Sequence, residues 1–348
     1  MKVAVLNAVS PFVYGGAEYF ADGLVDELRA QGHTASIIGI PMVNLQGPNL
    51  LDRMLAFRML EIDQRPHLKV DLTVALKFPA FLIPHSDKIL WVLHQYRAAY
   101  DLWDRKLDNL HADPLGEQYR RAIMQADNLA LNEAKAVYTI SENISGRLKK
   151  YNNFAAPAIY TPPANAESFF CAPAEDYILC VSRMNPLKRQ ALLVEALAHT
   201  REPVKLVLAG NDLHDHYERH LLHRIKVLNL EDRVRWVVDF PEQEKYDLYA
   251  KALAVAFTPI DEDYGYVTLE AMLAGKAVLT TKDAGGVLEF ITDDENGYVV
   301  DPAPQSVAMG LDKLWQDRSK TKQMGETGQE KYHAEDISWR SAVRKLLA

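Results

Sequence analysis

Two periods of apolar residues take turns along this chain. Short unbroken apolar runs, Val3–Leu6, Ala35–Ile40, Leu72–Leu76, Ile89–Leu93 and Ala136–Ile140, read as strands buried on both faces. The same kind of run returns at Tyr177–Val181, Val204–Ala209, Val234–Val238, Ala254–Thr258, Ala277–Thr281 and Tyr298–Val300. Between the runs, apolar side chains recur at helical spacing. Phe20, Leu24, Val25 and Leu28 share one helix face, Ile144 and Leu148 another, and Val267, Leu269, Met272 and Leu273 a third. Helices are also expected over 117–133, 188–198, 217–228, 245–251, 287–290 and 307–315. Ser141 stands where an N-cap belongs before Ile144. Strand and helix in rotation is the pattern of a parallel α/β sheet with helices on its faces.

The rotation is broken once. Residues 161–177, TPPANAESFFCAPAEDY, have no sustained period and are dense in Pro and Ala, so a hinge is expected there and a domain boundary near 170. The pattern predicts two Rossmann-like domains, 1–170 and 171–331. A tail helix from about Tyr332, with Trp339, Val343 and Leu346 at helical spacing, is expected after a glycine-bearing link that follows the 307–315 helix.

Composition narrows the class. The 348 residues suffice for two ordinary domains, and 48% hydrophobic with 25% charged content suits a soluble globular protein. No apolar run approaches a membrane span, and Met1-Lys2 leads straight into a strand rather than a signal peptide. Cys171 and Cys180 lack metal-ligand spacing and read as reduced thiols, so a cytoplasmic location is expected. A net charge of −8, carried mostly by the second half, argues against nucleic acid as a partner. The Met-rich segment 51–62, with Arg53 and Arg58, reads as a core-packing helix; an acceptor-facing or membrane-grazing helix stays open as its alternative.

The candidate chemistry gathers where strands end. Gly15-Gly16 lies between the first strand and its helix without the G-x-G-x-x-G fingerprint, leaving a tight turn or a close approach of backbone to a ligand phosphate or sugar. His94 stands at a strand tip, and the aromatic, charged stretch behind it, Tyr96 to Trp103 with Arg97 and Tyr100, is expected to line the same crevice. Arg147, Lys149 and Lys150 read as a solvated face. In the second half, Arg183 and Lys188 flank a loop and a helix start, where cations oppose the helix dipole unless an anion faces them. Asp283-Ala284-Gly285-Gly286 makes a further strand-to-helix turn that reads as a backbone nest. Glu262 sits in the 261–266 loop and Glu270 in the helix behind it. His214, His216, His220 and His223 lack the Glu of a zinc helix, Tyr217 standing in its place, and read as an exposed helix face.

Taken in order, Gly15-Gly16, His94, Arg183 with Lys188, the stretch Glu262-Asp263-Tyr264-Gly265-Tyr266-Val267-Thr268-Leu269-Glu270, and Asp283-Ala284-Gly285-Gly286 resemble the motifs of family 4 retaining glycosyltransferases, marked by an E-x7-E signature. The resemblance covers essentially the whole chain. It implies a GT-B fold, two Rossmann-like domains facing across a crevice with the C-terminal helix 332–348 crossing back to the first. It implies a retaining, metal-independent transfer of a hexosyl group from a nucleotide diphosphate sugar, UDP favoured over GDP, to a hydroxyl of a sugar, lipid-linked or small-molecule acceptor. Arg183 and Lys188 would hold the donor diphosphate, Glu262 the hydroxyls of the transferred sugar, and Glu270 the ribose. Tyr264, Gly265, Tyr266 and Val267 would offer backbone amides, with Thr268 beside them, and the base would lie by the backbone of Val238 to Phe240. Gly15-Gly16 would approach the diphosphate from the other domain and His94 the reacting centre, with Tyr96, Arg97 and Tyr100 on the acceptor side. No cofactor is expected, since the nucleotide sugar is a substrate. Nor is a metal expected: no D-x-D-like carboxylate pair stands at a strand end itself, and the nearest imitation, Asp261 and Asp263 around Glu262, lies in the loop beyond one. Asp263 departs from the small residue usual in the family, and Pro162-Pro163-Ala164-Asn165 replaces a common Asn-Gly turn. A GT-B nucleotide-sugar epimerase and a non-catalytic nucleotide-sugar-binding protein are the alternatives. A covalent two-carboxylate mechanism is disfavoured, since the resemblance puts Glu270 on the ribose.

Overall fold

The computed structural model describes residues 1–12, 14–42, 48–62, 69–210 and 215–348. The chain divides into two compact units, Met1–Ala164 with Ser338–Ala348, and Asn165–Ile337.

In the first unit, the apolar runs become β1 (Lys2–Val9), β2 (Thr34–Pro41), β3 (Leu72–Lys77), β4 (Lys88–His94) and β5 (Ala136–Thr139). They pair in parallel in the order β2-β1-β3-β4-β5, so the order reverses between β1 and β3. The helices are α1 (Gly16–Ala30), α2 (Pro48–Arg58), the single turn α3 (Asp101–Asp104), α4 (Gly116–Glu133) and α5 (Glu142–Asn152). α1 buries the expected face, Phe20, Leu24, Val25 and Leu28, and α5 is capped by Ser141, whose Oγ accepts from the Ile144 amide at 3.1 Å. α2 turns Leu50, Met54 and Phe57 into the core and leaves Leu51 and Leu55 exposed. Arg147 departs from the solvated face expected of it. It is buried, 3.9 Å from Asp101, and its place on α5 aims it inward at that carboxylate rather than at water.

The second unit restarts the rotation with β6 (Ile178–Val181), α6 (Gln190–Leu197), β7 (Leu206–Ala209), α7 (Asp215–Val227), β8 (Val234–Val237) and α8 (Glu242–Lys251). It continues through β9 (Ala254–Ala256), α9 (Tyr266–Leu273), β10 (Val278–Thr281), β11 (Gly297–Val300), α10 (Pro304–Gln316) and α11 (Arg318–Ala334). The parallel sheet runs β11-β10-β9-β6-β7-β8 and switches direction between β6 and β9. In such sheets ligands sit outside the carboxyl ends of the strands at the switch, which points to the loops after β6 and β9.

The glycine-bearing link expected before the tail is α11 itself. Its glycines serve contact rather than flexibility: a Cβ on Gly325 would strike the Gly275 carbonyl, so α11 can lie this close to the end of α9 only with glycine there. Tyr332 therefore belongs to α11, and the tail helix α12 runs Trp339–Leu347, capped by Ser338 through the Ser341 amide. α12 is part of the first unit. The Trp339 ring packs edge-on against Phe20 at 5.1 Å and Trp91 at 6.3 Å, in a slot left open by Gly23. Among the described residues no helix is long and apolar enough to cross a membrane.

Candidate active site

The second unit builds its site from three loops at the carboxyl edge of its sheet. After β6, Asn185 caps a short turn by accepting from the Leu187 and Lys188 amides, which directs Lys188 over the switch point. After β9 the chain enters Asp261–Gly265, and after β10 it enters Asp283–Gly286. These last two loops pair like strands: Asp261 N–H donates to the Asp283 carbonyl, Glu262 N–H to Ala284, and Gly286 N–H back to Glu262, at 2.8, 3.0 and 2.8 Å. The pairing holds the Glu262 backbone from both sides.

Lys188 and Glu262 meet there. Lys188 Nζ lies 2.6 Å from both Glu262 oxygens, with the two side chains 17% and 19% exposed. A charge pair this close and this sheltered is strong but can still be reached by a ligand. Arg183 is exposed on the same loop, its carbonyl accepting from Gln190 Nε2 at 3.0 Å. Gly265, at φ 91°, has a left-handed backbone that favours glycine, and a Cβ there would stand 2.9 Å from Val287 Cγ2. It turns the loop into α9 at Tyr266, where first-turn amides lack intrahelical acceptors. Tyr264 and Thr268 are buried behind this turn, and Tyr266 and Val267 are half-buried.

Glu270 lies one turn further along α9 and faces α8. Tyr249 donates to Glu270 Oε2 at 2.6 Å and Lys245 stands 3.7 Å from Oε1. Burial, then the Glu270 charge, holds the Tyr249 phenol well above its ordinary pKa, so it stays a donor. Val238, exposed, and Phe240, half-buried, lie between β8 and α8, so α8 joins the expected base-side loop to Glu270.

The sequence reading passed over Arg189, Lys245 and Tyr249. Lys245 and Tyr249 share a face at i,i+4, the one signal that might have paired them. Arg189 gave none, since a second cation beside Lys188 reads as surface. Its guanidinium instead meets Asp283 at 2.7 and 3.1 Å. Burial pushes the Asp283 carboxyl up, but the Arg189 hydrogen bonds and charge prevail and set its pKa below the usual value. The nest expected at 283–286 is narrower than its glycines suggested, because Ala284 N–H donates to Thr281 and Gly286 N–H to Glu262.

In the first unit, Gly15 forms the N-cap of α1 and its N–H donates to Glu18 at 3.1 Å, while Gly16 opens the helix. Glu18 also meets Lys77 at 3.2 Å, on the β3 side of the switch. His94 ends β4, half-buried, its Nδ1 2.9 Å from the Gln95 carbonyl, and Tyr96 is half-buried against Phe78. One acceptor-side candidate needs correcting. Tyr100 is fully buried, its hydroxyl donating to Asp127 at 2.7 Å, so it is core rather than lining. Arg97 is half-buried and paired with Asp101 at 2.6 to 3.3 Å, a carboxylate it shares with Arg147. His216 and His220 are helix-face residues as expected, while His214 falls outside the described residues. Among the described residues no group of three or more His, Cys, Asp or Glu is placed to hold a metal ion.

Two parallel α/β units, the second with cations and carboxylates at its switch point, share the GT-B fold of solved structures such as WaaG, a glycosyltransferase (TM-score 0.74, 16% identity). Residues 165–331, nearly all of the second unit, match the family model of glycosyl transferases group 1. The chain is 30% identical over 136 residues to the alpha-1,3/1,6-mannosyltransferase ALG2 of Dictyostelium discoideum, a match covering 38% of this chain. It thus spans only about a third (32%) of that relative's length. The D-inositol 3-phosphate glycosyltransferase of Corynebacterium diphtheriae is 23% identical over 359 residues, covering 96% of this chain and 83% of the relative. Among solved structures, Anabaena Alr3699/HepE in complex with UDP and glucose superposes with a TM-score of 0.77 at 18% identity, covering 100% of this chain and 98% of its own.

Proposed function

We propose that this protein is a retaining glycosyltransferase that moves a hexosyl group from a nucleotide diphosphate sugar to an acceptor hydroxyl. The observation that carries the reading is the Lys188–Glu262 contact at the switch point of a group 1 glycosyltransferase domain. It sets a cation for the diphosphate beside a carboxylate for the sugar.

Donor binding is assigned to the second unit. Arg183 and Lys188 take the diphosphate, assisted by the first-turn amides of α9 after Gly265. Glu262 accepts hydrogen bonds from the sugar hydroxyls, Glu270 from the ribose, and the backbone of Val238 to Phe240 meets the base. Breaking the anomeric C–O bond puts charge on the leaving diphosphate, which these cations and amides stabilise. The acceptor hydroxyl attacks from the side of the leaving group, the new C–O bond forms as the old one breaks, and the departing phosphate oxygen takes its proton. Of the first unit, Gly15-Gly16 is assigned to the diphosphate, His94 to the reacting centre and Tyr96 to the acceptor side. UDP is the first nucleotide to test, being that of the Anabaena neighbour. The electrostatic task of a metal falls to Lys188 and Arg183, so EDTA leaves the rate unchanged. The epimerase and the non-catalytic readings gain no specific observation.

The test is an acceptor screen with α-linked UDP- and GDP-sugars, with the linkage of the product read by NMR. An α linkage is expected. A β linkage would overturn the retaining mechanism, and an epimerised nucleotide sugar formed without acceptor would overturn transfer itself.

A further inference from the structure

Arg189 follows Lys188 directly and has no part in the roles assigned above. Its backbone is left-handed, with φ 54° and ψ 39°, a region that suits glycine and that other L residues enter at a cost. Such an outlier persists when its surroundings over-determine it. Here the side chain supplies the reason. Arg189 Nε donates to the Thr258 carbonyl at 2.8 Å, and Nη2 to the Pro259 carbonyl at 2.6 Å. The same guanidinium forks onto Asp283 at 2.7 and 3.1 Å and reaches Thr281 Oγ1 at 3.2 Å.

The location of these five acceptors matters more than their number. Thr258 and Pro259 leave β9 on the way to Glu262, and Thr281 and Asp283 leave β10 on the way to Gly286. Arg189 itself ends the turn that carries Lys188. One side chain, 15% exposed, therefore ties together all three loops of the donor site. The backbone adds one bond on the same seam, from Ile260 N–H to the Leu187 carbonyl at 2.8 Å. A lysine could not reproduce this pattern, because an ammonium has no planar fork to span a carboxylate and two carbonyls at once.

We propose that Arg189 is a positioning residue of the donor site, holding Lys188 against Glu262 by locking the β6, β9 and β10 loops into one platform. The proposal rests on the donor reading given above and is tested so that the two can fail separately. UDP, GDP, ADP and dTDP are titrated calorimetrically into the wild type and into Arg189→Met, Arg189→Lys and Arg189→Gly, and the tightest wild-type diphosphate is followed. Loosening a clamp by an ångström or so is expected to weaken that diphosphate by about tenfold or more in all three variants. Arg189→Gly loses affinity although it relieves the backbone, and millimolar guanidinium restores most of that loss. Asp283→Asn produces a similar loss, and Arg189→Met/Asp283→Asn is no worse than either single variant. Hydrogen exchange in Arg189→Met quickens at the Asp261, Glu262 and Gly286 amides and stays unchanged in β6 and β7. Wild-type affinity in Arg189→Lys or Arg189→Gly would overturn the positioning role. Faster exchange throughout β6 and β7 would overturn it too, by making Arg189 a general support of the unit. A wild type that binds none of the four diphosphates would instead overturn the donor reading, and this role with it.

Discussion

Lys188 and Glu262 are assigned to different parts of one donor, yet in the ligand-free protein each is the other's partner, and this gives their substitutions opposite signs. At 2.6 Å to both oxygens, the pair attracts by about 6 kcal/mol at the effective dielectric that suits such sites. Desolvation offsets much of this, since the side chains are only 17% and 19% exposed, leaving a net coupling of about 1–3 kcal/mol. Lys188→Met takes away the carboxylate's close cation and the phosphate's as well. It should cost the ligand-free protein about 2 kcal/mol and weaken UDP by about 2–5 kcal/mol, some thirtyfold or more. Glu262→Gln frees Lys188 and removes a like charge from beside the diphosphate, so UDP without a sugar should bind tighter, by about 1 kcal/mol or about fivefold. Turnover of the nucleotide sugar should fall in both. Calorimetry with UDP on the two single variants and the double variant measures these terms, and urea unfolding measures the coupling without ligand. If Glu262→Gln weakens UDP as Lys188→Met does, the carboxylate is no rival of the phosphate for Lys188, and the division of roles is wrong.

Two further outcomes follow from the first unit. Burial raises the pKa of Asp127 to about 7, the Tyr100 hydrogen bond opposing it, whereas the unfolded chain titrates near 3.9. The neutral form therefore stabilises the fold fully below about pH 4, and that stability fades as pH rises through about 7, a loss of about 3 kcal/mol between pH 5 and 8. Asp127→Asn should lack this term in urea unfolding at the two pH values; an equal pH dependence in both proteins would refute the assignment. Trp339→Ala should cost about 2–4 kcal/mol, because it empties the slot beside Phe20 and Trp91. Unchanged urea unfolding of Trp339→Ala, followed by circular dichroism, would show that α12 does not support this core.

The strand runs were legible because parallel strands are buried on both faces, so their apolar residues stand unbroken, and the helix behind Gly15-Gly16 was legible because α1 buries one stripe. The Glu262 loop could be read from the spacing of its carboxylates and its glycine. Other features left no local mark. α11 passed for a link because Gly325 and Gly328 look like flexibility until a second helix is seen against them. Tyr100 follows a strand tip, where ligand contacts gather, but its partner Asp127 becomes visible only in three dimensions, whereas Asp101 stands four residues beyond Arg97, a local cue. Arg189 is the clearest case: neither a left-handed backbone at a non-glycine residue nor acceptors some seventy to ninety-four positions away can be read from its neighbours.

The Phe20–Trp91–Trp339 cluster also orders events in time. Phe20 and Trp91 leave the ribosome early, but their third ring is encoded beyond the whole of the second unit, at Asn165–Ile337. During synthesis the first unit must wait with an open aromatic slot while the second folds, since domains tend to fold as units from the N-terminal side. A chain that has emerged from the ribosome only as far as α11 would hold a second unit that is nearly whole and a first unit still missing one wall of its core.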